Sequence, residues 1–115
     1  MNEKQMNEKM LEAFPEFKEE FDKYVSWQDG MATGAFLTYE DVFRPHIEKA
    51  VEENDMPFLE RVSTFLEDLY LTGDEYAMSV VCVGILEGLK ANSDNSAVRS
   101  FLKPTTQNEF DELEY

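Results

Sequence analysis

With 115 residues the chain has room for one domain with its own core, and 43% hydrophobic residues, nine of them Phe, supply the material. Its 25 acidic residues against 10 basic ones give a formal net charge of −15. Such a surface repels nucleic acid and anionic membranes and attracts cationic partners, and no Lys/Arg cluster is present to bind phosphates.

Residues 2–14 alternate charge with Met6, Met10, Leu11 and Phe14, the pattern of a short amphipathic helix. Pro15 suits the first turn of a new helix, whose stripe is Phe17, Phe21, Tyr24 and Val25. Asp29-Gly30 ends it. Trp27, near that end, reads as a core residue ahead of a surface anchor. Residues 30–37 read as a connection with two glycines. Thr38 followed by Asp41 resembles an N-terminal cap with an acidic first turn. The third helix then turns Val42, Phe43, Ile47, Ala50 and Val51 inward, with Pro45 expected to kink it or delay its start.

Asp55 caps a fourth helix that repeats Phe58, Leu59, Val62, Phe65, Leu66 and Leu69, with Glu60, Arg61, Glu67 and Asp68 assigned to its outer face. Gly73 stops that helix and Asp74 caps the next, making an antiparallel hairpin with a short loop. The run Tyr76–Leu89, YAMSVVCVGILEGL, is apolar on almost every side and far shorter than the ~18–20 residues of a membrane span. It is the central buried helix, at about residues 75–91. Ala77, Val81, Gly84, Gly88 and Ala91 give it a thin stripe where a neighbouring helix can approach closely. After the polar turn at residues 92–95 comes a short helix at residues 96–102. Beyond Pro104, Phe110, Leu113 and Tyr115 suggest a last helical turn or two, or the tail from residue 105 is a frayed acidic end. The expected fold is all-α: one domain over residues 1–115, a compact bundle of five to seven helices packed mostly as antiparallel pairs.

Motifs with chemistry are scarce. His46 is the lone histidine and Cys82 the lone cysteine, so a zinc site or a Cys–His pair has no support. Cys82, inside the apolar run, reads as a small core residue. No calcium loop, phosphate-binding loop, dinucleotide fingerprint or nucleophile elbow is present. The expectation is a non-enzyme without cofactor or metal. The opening residues lack an apolar signal region, which points to the cytoplasm. What remains are carboxylates in number: Glu16, Glu19, Glu20 and Asp22 on the second helix and a larger set further on. Glu48, Glu52, Glu53, Glu60, Glu67, Asp68, Asp74 and Glu75, with Tyr70 as an aromatic contact at the rim, form the candidate docking set for a basic protein. Tyr76 and Trp27 are further aromatic candidates.

The stretch FLEDLYLTGDEYAMSVVCVGILEGL (residues 65–89), followed by FLKPTTQNEFDELE, resembles a group of small all-helical bacterial proteins, over roughly the second half of the chain. Some similar short acidic chains act as immunity proteins beside secreted or contact-delivered toxins. The resemblance carries over no functional residue. It implies an immunity protein that neutralises a basic, nuclease-type toxin. A non-toxin adaptor, with the Gly84/Gly88 face as its candidate contact, and a small-molecule-binding helical domain are the alternatives. The sequence leaves oligomeric state open.

Overall fold

The computed structural model describes residues 1–113, and within them the chain forms seven helices and no strand. Helix α1 (Glu3–Ala13) begins with a reciprocal cap, Asn2 and Gln5 each accepting the other's backbone N–H. Helix α2 (residues 15–25) opens with a 3₁₀ turn at Pro15–Phe17 and buries Phe17, Phe21 and Val25. A second 3₁₀ turn, Gly30–Ala32, leads into α3 (residues 35–53). Helix α4 (Met56–Leu71) and helix α5 (residues 75–92) form the hairpin, followed by α6 (Asn95–Phe101) and α7 (Pro104–Glu112). Asp55 and Asp74 are the expected caps, accepting from the N–H groups of Phe58 and Ala77. Gly73 takes a φ of 74°, the left-handed conformation that stops α4. The acidic tail is helical through Glu112, while Glu114 and Tyr115 lie outside the described residues.

Four expectations need correction. Helix α3 starts at Ala35, not after Thr38, because Thr38 has an inward use. Its hydroxyl donates to Asn7 Oδ1 at 2.6 Å, and the Asn7 amide in turn donates to the carbonyls of Met31 and Thr33. This largely buried knot pins the loop before α3 onto α1. Pro45 does not delay the helix. The chain passes through a π-helical turn at Tyr39–Phe43 just ahead of it, with Arg44 N–H bonding back five residues to Tyr39. A wider turn there relieves the clash a proline ring makes with the carbonyl four residues earlier. Trp27 is not core: it is 93% exposed. Glu67 is not on an outer face: it is 7% exposed.

One buried cluster draws residues from α1 to α7. At its centre Phe14 touches the rings of Phe17, Phe43, Phe58 and Phe65, with centroids 4.9–5.6 Å apart. Helix α5 lies where expected, with Val80, Val81, Ile85, Leu86 and Leu89 all 0% exposed, and it is π-helical over Val80–Leu86. The helix that crosses its glycines is α3. At Gly88 the approach is tight, since a Cβ there would stand 2.0 Å from the Arg44 guanidinium. At Gly84 it is ordinary, since a Cβ would meet Tyr39 Cβ and Val80 Cγ1 at 3.6 Å. Alanine gains up to ~1 kcal/mol over glycine within a helix. Gly84→Ala is therefore expected to raise stability by roughly 0.5–1 kcal/mol in urea denaturation, and Gly88→Ala is not. Destabilisation by Gly84→Ala would show that the crossing has no slack. With α3 seated on this face, the Gly84/Gly88 stripe is unavailable to a partner.

Candidate functional site

The carboxylates singled out from sequence do not converge on one face. Three groups of the set serve the fold. Asp74 caps α5 and pairs with the Met1 ammonium, which holds its carboxyl below the usual range. Glu67 accepts the backbone N–H groups of Thr105 and Thr106 at 2.9 and 2.8 Å. Tyr70, half-buried, has its hydroxyl pushed up to about 12, first by burial and then by the Glu109 carboxylate. Two more are paired: Glu60 with Lys103 at 3.2 Å, and Glu48 with Arg44 at 3.8 Å. Arg44 lies over Gly88 with its Nε buried and without a hydrogen bond, so the Glu48 contact is its charge partner only.

Glu52, Glu53, Asp68 and Glu75 remain, all exposed and without an ion-pair partner among the described residues. They are spread out. Glu52 borders an open notch of about 300 Å³ with Asn92 and Asp94, and Glu53 borders one of about 160 Å³ with His46 and Lys49. Asp68 lines a larger groove between α1 and α4, of about 470 Å³, together with Lys9 and Glu12. Glu75 stands in the first turn of α5, where the helix dipole favours a carboxylate.

On the second helix Glu16 holds Arg61, Glu20 holds His46, and Asp22 and Glu19 pair with Lys18 and Lys23. His46 Nε2 lies 2.5 Å from Glu20, and its ring stacks on Phe17 with centroids 4.5 Å apart. That arrangement ties α2 to α3. Cys82 is half-buried rather than fully core; burial first, then Glu109 and Glu87, push its thiol up to about 11. A thiol in that range stays protonated near neutral pH and is a poor nucleophile.

Two features went unread in the sequence. Trp27 falls six residues after Phe21, about 120° round the helix from that inward residue, so the spacing already argued against burial. Helix α2 also ends at Val25, and the turn that follows leaves the indole in solvent. The α1/α4 groove, by contrast, has no local signal, because Glu12 and Asp68 meet only through the packing of two helices distant in sequence. Among the described residues no group of His, Cys, Asp or Glu is placed to hold a metal ion, and no helix is long and apolar enough to cross a membrane.

No curated protein and no solved structure matches the chain. A family model, described as a domain of unknown function (DUF7674), matches residues 7–115, nearly the whole chain, and its description names no immunity role. The chain belongs to this family, the domain of unknown function DUF7674.

Proposed function

We propose that the protein is a non-enzymatic inhibitor of a cationic protein, an immunity protein that neutralises a basic, nuclease-type bacterial toxin in the cytoplasm by stoichiometric contact. The observation that carries this reading is the unneutralised surface charge. Among the described residues nine carboxylates have an ion-pair partner, one of those partners being His46 and another the chain's own amino terminus. The whole chain has 25 acidic residues, Glu114 alone lying outside the described range. Ten of the others, from Glu12 to Glu112, are exposed with no ion-pair partner among the described residues, and folding brings like charges together at a cost in self-repulsion. A basic partner removes that repulsion and is steered in by the same field. Trp27, 93% exposed, supplies an aromatic anchor of the kind that dominates binding energy once it is buried in an interface. The grooves are open rather than enclosed, which favours a macromolecular partner over a small ligand. An adaptor for a non-toxic protein would use the same surface, and the partner's effect on cells separates the two.

The test is co-expression with the product of the adjacent gene. The expected outcome is relief of toxicity and a one-to-one complex. Its association rate should fall about tenfold or more between low and high salt, with a smaller change in dissociation. Trp27→Ala should weaken the complex roughly tenfold or more without changing the unfolding midpoint. A neighbour that is harmless, or a complex indifferent to salt, defeats the proposal.

A further inference from the structure

The groove between α1 and α4 has two parts, which share Ala13, Phe65 and Asp68. In the part nearer α2, of about 390 Å³, the chain seats one of its own guanidinium groups. Arg61 Cζ lies 4.8 Å from the centroid of the Phe14 ring and 5.9 Å from that of Phe58. Its two terminal nitrogens donate to the two Glu16 carboxylate oxygens at 2.7 and 3.0 Å, and Nη2 also donates to the Ala13 carbonyl at 2.9 Å. The arrangement is an aromatic floor, a carboxylate wall and a cation lying between them.

The second part, of about 470 Å³, repeats those components further along α4. Its floor is the half-buried Phe65 with Leu69 beside it, and its walls are Glu12 from α1 and Asp68 from α4. Both carboxylates are exposed and neither has an ion-pair partner among the described residues. Lys9 also lines this part but pairs with neither of them.

We propose that the compartment between Glu12 and Asp68 takes an arginine side chain of the cationic partner, its guanidinium plane over Phe65 and its N–H groups divided between the two carboxylates. This rests on the reading of the protein as a binder of a cationic protein and names where one contact is made. Arginine suits the site better than lysine. A guanidinium is planar, weakly hydrated and able to stack while donating in two directions, whereas an ammonium is a strongly hydrated point charge. A second copy of the chain is a poor occupant, because each copy brings a net charge of −15. Lys9 opposes an incoming cation, so its removal should favour binding.

The probe is a hexa-arginine peptide, with hexa-lysine of equal charge as comparator, titrated into the ¹⁵N-labelled full chain at low salt. The expected result is amide shifts centred on Glu12, Ala13, Phe65 and Asp68, and tighter binding of the arginine peptide. Combining Glu12→Gln with Asp68→Asn should weaken hexa-arginine about tenfold, the effect of losing charge-assisted hydrogen bonds, and abolish the preference over lysine. Lys9→Gln should tighten it. The charge-matched control, Glu52→Gln with Glu75→Gln, removes the same two charges from exposed positions elsewhere and should weaken both peptides alike and by less. Equal weakening by the two double variants, or shifts centred elsewhere, overturns the compartment and leaves the cationic-partner reading standing. Binding as expected beside a harmless neighbouring gene product overturns the toxin reading and leaves the compartment. Failure of both peptides to bind overturns the two together.

Discussion

Phe14→Ala is expected to cost about 3–5 kcal/mol of stability, the range for truncating a fully buried phenylalanine. The total stability of a domain this size is about 5–15 kcal/mol, so the variant stands near the edge of folding. Phe14 is 0% exposed, and its ring is shared by α2 through Phe17, α3 through Phe43 and α4 through Phe58 and Phe65. Its own N–H closes the end of α1 by bonding to the Met10 carbonyl at 2.8 Å. Truncation therefore opens a cavity where four helices meet. It also removes the nearer of the two rings under Arg61, leaving that cation on the Glu16 carboxylate and the more distant Phe58 ring. The measurement is the urea midpoint at unchanged m-value. A loss below about 1 kcal/mol would mean the surrounding rings collapse into the space, and the cluster would then be a loose one.

The helical architecture was legible because the apolar periods are long and clean, and because Asp55 and Asp74 announce helix starts through their own side chains. Thr38 misled for a related reason. A Thr followed by Asp has the look of a cap, but α3 begins at Gly34-Ala35, where no side chain caps, and the Thr38 hydroxyl answers to Asn7, 31 residues earlier. Contacts of that span leave no periodic trace. The π-helical turns are hidden in the same way, since an i→i−5 bond looks like nothing in a sequence, although Pro45 marked the place where one was needed. Trp27 is a different failure, because its spacing from Phe21 places it off the inward stripe. The docking set read from sequence mixed two populations. Carboxylates beside helix starts, such as Asp74 and Glu67, are consumed by backbone N–H groups. Asp68, on an exposed face of α4, and Glu75, which stands at a helix start but faces solvent, are not. Composition counts both kinds alike, so only the fold separates them.

Glu67→Ala is expected to cost about 2–4 kcal/mol near neutral pH, from two charge-assisted hydrogen bonds and the two N–H groups left without an acceptor. Helix α7 starts at Pro104, and its N-cap residue Lys103 offers no side-chain acceptor. The donors of Thr105 and Thr106 are instead met by the Glu67 carboxylate, reaching across from α4. Two forces act on that carboxyl. Burial pushes its pKa up, and donation from Thr106 and Thr105 pulls it down; the donors win and it lies below the ordinary value. A carboxyl depressed by folding stabilises fully above its unfolded value, about 4.3, and loses that contribution as the pH falls through the folded value. The gap between wild type and Glu67→Ala should thus be full at pH 7 and should narrow on acidification below about pH 4. Wild type alone would not reveal this, because protonating many surface carboxylates also relieves the self-repulsion of a chain carrying −15. The difference between the two proteins removes that common effect. Phe14→Ala provides the control, since an apolar cavity does not titrate and its deficit should be unchanged between the two pH values. A Glu67→Ala deficit equally flat with pH would mean that α7 is held by packing through Phe110 rather than by the carboxylate. Faster hydrogen exchange confined to α7 in the variant would show instead that the carboxylate holds this helix as a separately opening unit.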